Sequence, residues 1–178
     1  MVAAAPAAVS SPGLGRRSRF VDQTGKLPWL AGDSAERGGR PSERHPRVTV
    51  GLDTSVVVRL LVGEPADQAA RAVRLLDDLQ RRGDVVAVSD LVVAETYYAI
   101  HYHYGVRKAE ALRALRSMFD DGEVKSLGVA AEVLETAGLA SAKPGFIDRL
   151  IHRGYTTTGS RMASFERAAA RLGSVVTP

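Results

Sequence analysis

Residues 48–60, VTVGLDTSVVVRL, decide how the rest of the chain is read. Residues 48–52 are apolar or β-branched, apart from a glycine, and stop at the carboxylate of Asp53. Thr54 and Ser55 follow, and an apolar run broken only by Arg59 carries on to Val62. A short apolar run closed by turn chemistry reads as a buried parallel strand. Small polar residues directly after it suit a helix start. Asp53 is then expected at the carboxyl end of a central strand, where open α/β sheets bind their ligands. The same carboxylate could equally do no more than cap the following helix, and this stretch alone leaves both readings open.

Outward from there the chain alternates. Glu64-Pro65 ends the first helix, because proline disfavours a helical residue before it. Residues 66–82 place Ala69, Ala72, Val73, Leu75, Leu76 and Leu79 on one helical stripe, and Gly83 stops them. DVVAV, residues 84–88, reads as a second buried strand, with Ser89 or Asp90 capping a helix to about residue 104. Helical patterns follow over 108–119, 130–140, from Pro144 onward and 164–172, with short strands expected at 123–127, 155–158 and 175–176. Strands alternating with helices predict an α/β fold, a central parallel sheet flanked by helices.

Residues 1–46 show no such period. They are rich in Ala, Gly, Pro, Ser and Arg, and a segment this poor in large apolar groups is expected to form a disordered N-terminal arm ahead of a domain at 47–178. The arm also carries much of the net charge of +4. It holds seven basic and four acidic residues, against 17 and 16 in the rest, so the domain is close to neutral. Bulk charge therefore gives no evidence of a nucleic-acid partner, and Arg16, Arg17 and Arg19 read as a solvated cluster. There is no cysteine, which excludes disulfides and thiolate metal sites and suits a cytoplasmic location. No uncharged apolar run reaches the ~18 residues of a membrane span; the best, 91–100, contains Glu95.

Most acids lie at helix ends or on polar faces. Asp53, Glu95 and Asp148 instead sit among apolar neighbours at the ends of strands or the starts of helices, and Glu166 stands at the start of the last helix. In a parallel sheet these positions share one edge. Carboxylates gathered there repel one another unless paired or bound to a cation. The cation that suits oxygen donors is Mg²⁺ or Mn²⁺, which can activate water and steady the leaving oxygen of a phosphodiester. His101 and His103 are two apart, about 200° around a helix, and do not chelate one metal well. With Tyr97, Tyr98, Tyr102 and Tyr104 they read first as a packing or partner face, with base stacking as the rarer role. Arg149, His152 and Arg153 are candidates for holding a phosphate or for plain surface solvation.

Four segments in this order, LDTSVVVRLL, SDLVVAETYYAIHYHYGV, KPGFIDRLIHRGY and ASFERAAARLGSVV, resemble the PIN-domain ribonucleases, most closely the VapC-type toxins of toxin–antitoxin pairs. The resemblance spans about residues 48–178. It implies a metal-dependent endoribonuclease with Asp53, Glu95, Asp148 and Glu166 as metal-binding, catalytic acids, supported by a hydroxyl of Thr54 or Ser164. It implies an RNA substrate, a cognate antitoxin, a homodimer and no membrane. Two positions depart from the family pattern: Glu166 stands where Asp is typical, and Gly145 replaces an acid three residues before Asp148. These departures keep a second reading in play, a PIN-like module that binds RNA or a protein without cutting. A phosphatase of the haloacid-dehalogenase kind ranks below both, because Ser55 occupies the place of its second Asp.

Overall fold

The structure is a computed structural model and describes residues 47–178. The arm expected at 1–46 lies outside the described residues. A strand β1 (Thr49–Gly51) leads into helix α1 (Thr54–Val62), followed by α2 (Ala66–Arg82), β2 (Val85–Val88) and α3 (Asp90–Tyr98). A π-helical turn (Ala99–His103) extends α3, and α4 (Lys108–Asp120), β3 (Val124–Ser126) and the short α5 (Ala130–Leu134) come next. Helix α6 (Phe146–Thr157), β4 (Met162–Ala163), a 3-10 segment (Arg167–Leu172) and β5 (Val175–Val176) complete the chain.

β1, β2 and β3 form one parallel sheet in that order, with Val50 opposite Val86 and Ala87 opposite Lys125. β4 and β5 pair separately, also in parallel. The expected single sheet is thus divided in two. β2, not β1, is the central strand: Val86, Ala87 and Val88 are fully buried, whereas Thr49 and Gly51 are exposed. Asp53 therefore follows an edge strand, because no described strand covers the outer side of β1. Since β1 and β2 run parallel, α1 and α3 start from the same edge of the sheet and pack together.

Caps set the helix limits. Asp53 and Ser89 are the N-caps of α1 and α3, each accepting from the backbone N–H three residues on. Gly63 and Gly83 close α1 and α2 in the left-handed conformation, at φ 75° and 78°. The core comprises Val57, Val58, Leu60 and Leu61 of α1, Val86 and Val88 of β2, Val93 of α3, Leu112 and Leu115 of α4, and Phe146 and Leu150 of α6.

The sequence misleads at residues 155–158, expected as a strand and found as the last turn of α6. Threonines favour strands for their branched β-carbon, but here each hydroxyl bonds back to a helix carbonyl. Thr156 donates to His152 O, Thr157 to Gly154 O and Thr158, at the C-cap, to Tyr155 O, so the hydroxyls find partners without leaving the helix. The strand falls instead at Met162–Ala163. The helix expected over 130–140 stops at Leu134, and Gly138 sits at φ 67° in the turns beyond.

Asp90 does more than begin α3. Its carboxylate accepts from the N–H groups of Val129 (3.0 Å) and Ala130 (2.8 Å), which ties the start of α5 to the end of β2. A β-carbon on Gly128 would collide with that carboxylate. Gly128→Ala is expected to displace Asp90 and destabilise the domain by about 1–3 kcal/mol, the cost of leaving buried donors unpaired. Urea unfolding measures this, and an unchanged midpoint would show that the cap is dispensable.

Candidate active site

Asp53 and Glu95 line one open cleft of about 600 Å³ with Thr54, Ser55, Val58, Arg59, Ala99, His103 and Tyr104. The local folding explains why. Asp53 caps α1 and Glu95 lies in the second turn of α3, and the two helices start side by side. The Thr54 hydroxyl donates to Glu95 Oε2 and so joins the two elements directly.

Both readings of Asp53 hold at once. Its Oδ1 accepts from Val56 N at 3.0 Å, as a cap should, and from Ser55 Oγ at 2.8 Å. Both bonds fall on Oδ1 while the residue remains exposed to the cleft. The Val56 N–H, then the Ser55 hydroxyl, hold the carboxyl below its ordinary value of 3.8. The charged form is stabilised by folding, so this contribution is complete above pH 3.8 and is lost as pH falls through the lower folded value. The stability gap between wild type and Asp53→Asn is expected to be constant from pH 7 to about 5 and to close below about 4. Urea midpoints across that range test it, and a gap that persists undiminished at pH 2 would refute it.

The other two acids stand apart from this cleft. Asp148 is half-buried and caps the start of α6, where its Oδ2 accepts from Gly145 N at 3.1 Å. Glu166 is exposed and precedes the 3-10 segment. Ser164 Oγ accepts from Glu166 N at 3.0 Å, so it shapes that turn. Among the described residues no three His, Cys, Asp or Glu side chains gather closely enough to hold a metal ion. The structure thus unites Asp53, Thr54 and Glu95 and leaves Asp148, Ser164 and Glu166 outside the cleft.

The basic candidates on α6 are engaged elsewhere. Arg149 Nε donates to Pro144 O (3.0 Å), His152 Nε2 lies 2.8 Å from Gly173 O, and Arg153 pairs with Glu132 at 2.7 Å. His101 stacks on Tyr97, and its Nδ1 lies 2.7 Å from Val106 O. Burial, then the neighbouring Tyr102 and Tyr98, push the Tyr97 hydroxyl up, which fits a packing role. Three polar cleft residues were not singled out as such by the sequence: Arg59, His103 and Tyr104. The π-helical turn accounts for part of this, since its wider spacing carries Ala99 and His103 to the cleft alongside Glu95.

The PIN domain matches residues 50–153, more than half of the chain. The chain belongs to the PIN-domain family. The matched span contains Asp53, Glu95 and Asp148 and ends before Glu166. No curated protein and no solved structure matches. PIN domains are nucleases in general, hydrolases of the phosphodiester bond, and they typically use divalent metals. In this PIN domain the donors that share the cleft are hard oxygens: two carboxylates with the hydroxyls of Thr54 and Ser55 beside them. Mg²⁺ is commonly held by one or two carboxylates, with water and substrate phosphate completing its shell, so Asp53 and Glu95 fit such an ion. Among the described residues no helix is long and apolar enough to cross a membrane.

Proposed function

We propose that this PIN domain is a metal-dependent endoribonuclease and the toxin of a toxin–antitoxin pair. The observation that carries the nuclease reading is the joining of Asp53 and Glu95 through Thr54 in one cleft. Asp53 and Glu95 would hold Mg²⁺ or Mn²⁺, which supplies an activated water and offsets charge on the scissile phosphate. Asp53 is ionised at neutral pH like any ordinary carboxylate, and its bonds to Val56 N–H and Ser55 favour that charged form further. Thr54 holds Glu95 through Oε2, which would orient the carboxylate toward the metal and its water. Asp148 and Glu166 belong to the proposal as further acids contributed by α6 and by the turn after β4. The antitoxin and a homodimer belong to it through the resemblance to VapC-type toxins. Cleavage of total RNA with Mg²⁺ or Mn²⁺, against a chelator control, tests the reading: discrete cuts that vanish with the chelator support it.

A second reading is favoured by one observation. Only two of the four acids line the cleft, and Gly145 stands where the family commonly has a fifth. A PIN module that binds RNA or a protein without cutting would bind metal, seen by calorimetry, while leaving every RNA whole.

A further inference from the structure

Arg59 lies one helical turn beyond Ser55 on α1, on the face that lines the Asp53–Glu95 cleft. It is half-buried, and among the described residues it has no carboxylate partner. Among the described residues its guanidinium is held by neutral oxygens only. Nε donates to Gln68 Oε1 at 2.6 Å and Nη1 to the Tyr104 hydroxyl at 3.1 Å. Arg116 and Arg153, by contrast, each answer a carboxylate, Glu135 and Glu132. A partly buried cation without an anion is costly, and this one is also fixed in place. Two of its five N–H groups are used, and the rest remain for an anion. Arg59 stands about 9 Å along the helix axis from Asp53, six residues at 1.5 Å each. Its guanidinium makes no ion pair with either acid of the pair among the described residues and lines the same cleft, where His103 adds a second donor.

We propose that Arg59, positioned by Gln68 and Tyr104, binds a backbone phosphate of the RNA flanking the one that is cut. This rests on the ribonuclease reading and adds the group that orients the strand along the cleft. Arginine suits the task, since its planar fork meets phosphate oxygens in pairs. The contact is to the backbone, so it fixes register and carries no base preference.

Two measurements test it. The first is fluorescence anisotropy of a labelled single-stranded RNA oligonucleotide with chelator present, over a series of salt concentrations. Arg59→Gln is expected to weaken binding roughly 10-fold, the loss of one charged hydrogen-bonded contact, and to lower the salt slope by about 1. Arg59→Lys should keep the slope and recover part of the affinity. Tyr104→Phe, which retains the charge and frees Nη1, should give a smaller loss with the slope unchanged. The second is the steady-state cleavage rate, where Arg59→Gln should raise KM about 10-fold with kcat little changed, as expected for uniform binding. A folded Arg59→Gln with unaltered affinity and slope overturns the proposal, as does a fall confined to kcat. A wild type that binds the oligonucleotide and cuts nothing would sink the nuclease reading while the anisotropy still decides Arg59. A wild type that does not bind RNA at all would sink both.

Discussion

Asp53→Asn is expected to reduce RNA cleavage by at least about 100-fold, the upper end of what loss of a mere supporting partner of a metal site costs, while leaving the fold standing. The substitution separates two jobs that one carboxylate performs. As the N-cap of α1, Asp53 satisfies Val56 N–H through Oδ1. Asparagine caps a helix about as well as aspartate, whereas alanine costs typically about 1 kcal/mol. The charge, however, disappears, and with it the hard anionic oxygen that a divalent cation requires. Asp53→Asn should thus stay folded, short of wild type only by the charge-dependent contribution that closes in acid, and neither cut nor bind metal normally, whereas Asp53→Ala should lose the cap as well. Turnover by Asp53→Asn within a few-fold of wild type would remove this aspartate from the reaction and return it to the simple capping role.

Why the sequence makes legible that Asp53 and Glu95 share a cleft, and not where Asp148 and Glu166 lie, has a physical answer. Asp53 and Glu95 lie within a few residues of strand ends that run in parallel, so chain direction alone brings them to one edge. Proline and glycine signals fixed α2 to the residue, from Ala66 after Pro65 to Arg82 before Gly83. Asp148 and Glu166 depend instead on how α6 and the last segments fold back, which no local signal records. Asp148 turns its side chain to the backbone nearby, capping α6, and Glu166 stands exposed at the start of a short 3-10 segment, where its N–H donates to Ser164. The placement of Arg59 was hidden for a similar reason. Its role emerges from Gln68 on α2 and Tyr104 after the π-helical turn, two contacts that no helical period predicts. The edge position of β1 was also illegible, since a run as apolar as residues 48–52 gives no sign of which strands lie beside it.

The largest loss of stability is expected from Phe146→Ala, about 3–5 kcal/mol for truncating a buried aromatic ring. Phe146 opens α6 and is only 1% exposed. Its ring meets Tyr97 of α3 edge to face, 5.4 Å between centroids, so it pins α6 to the helix that carries Glu95. For a domain of this size about 4 °C per kcal/mol applies, which places the fall in Tm at roughly 12–20 °C by thermal denaturation. A drop under about 4 °C would mean that the site repacks around the missing ring. Cleavage by the same variant, assayed cold where it remains folded, then discriminates between the two pairs of acids. The Thr54–Glu95 bond and the packing of α1 on α3 do not pass through Phe146. If Asp53 and Glu95 carry the reaction, the rate should fall by less than the roughly 10-fold typical of a lost supporting contact. Asp148 lies two residues beyond Phe146 on α6, so a much steeper loss in a folded protein would put that acid in the reaction as well.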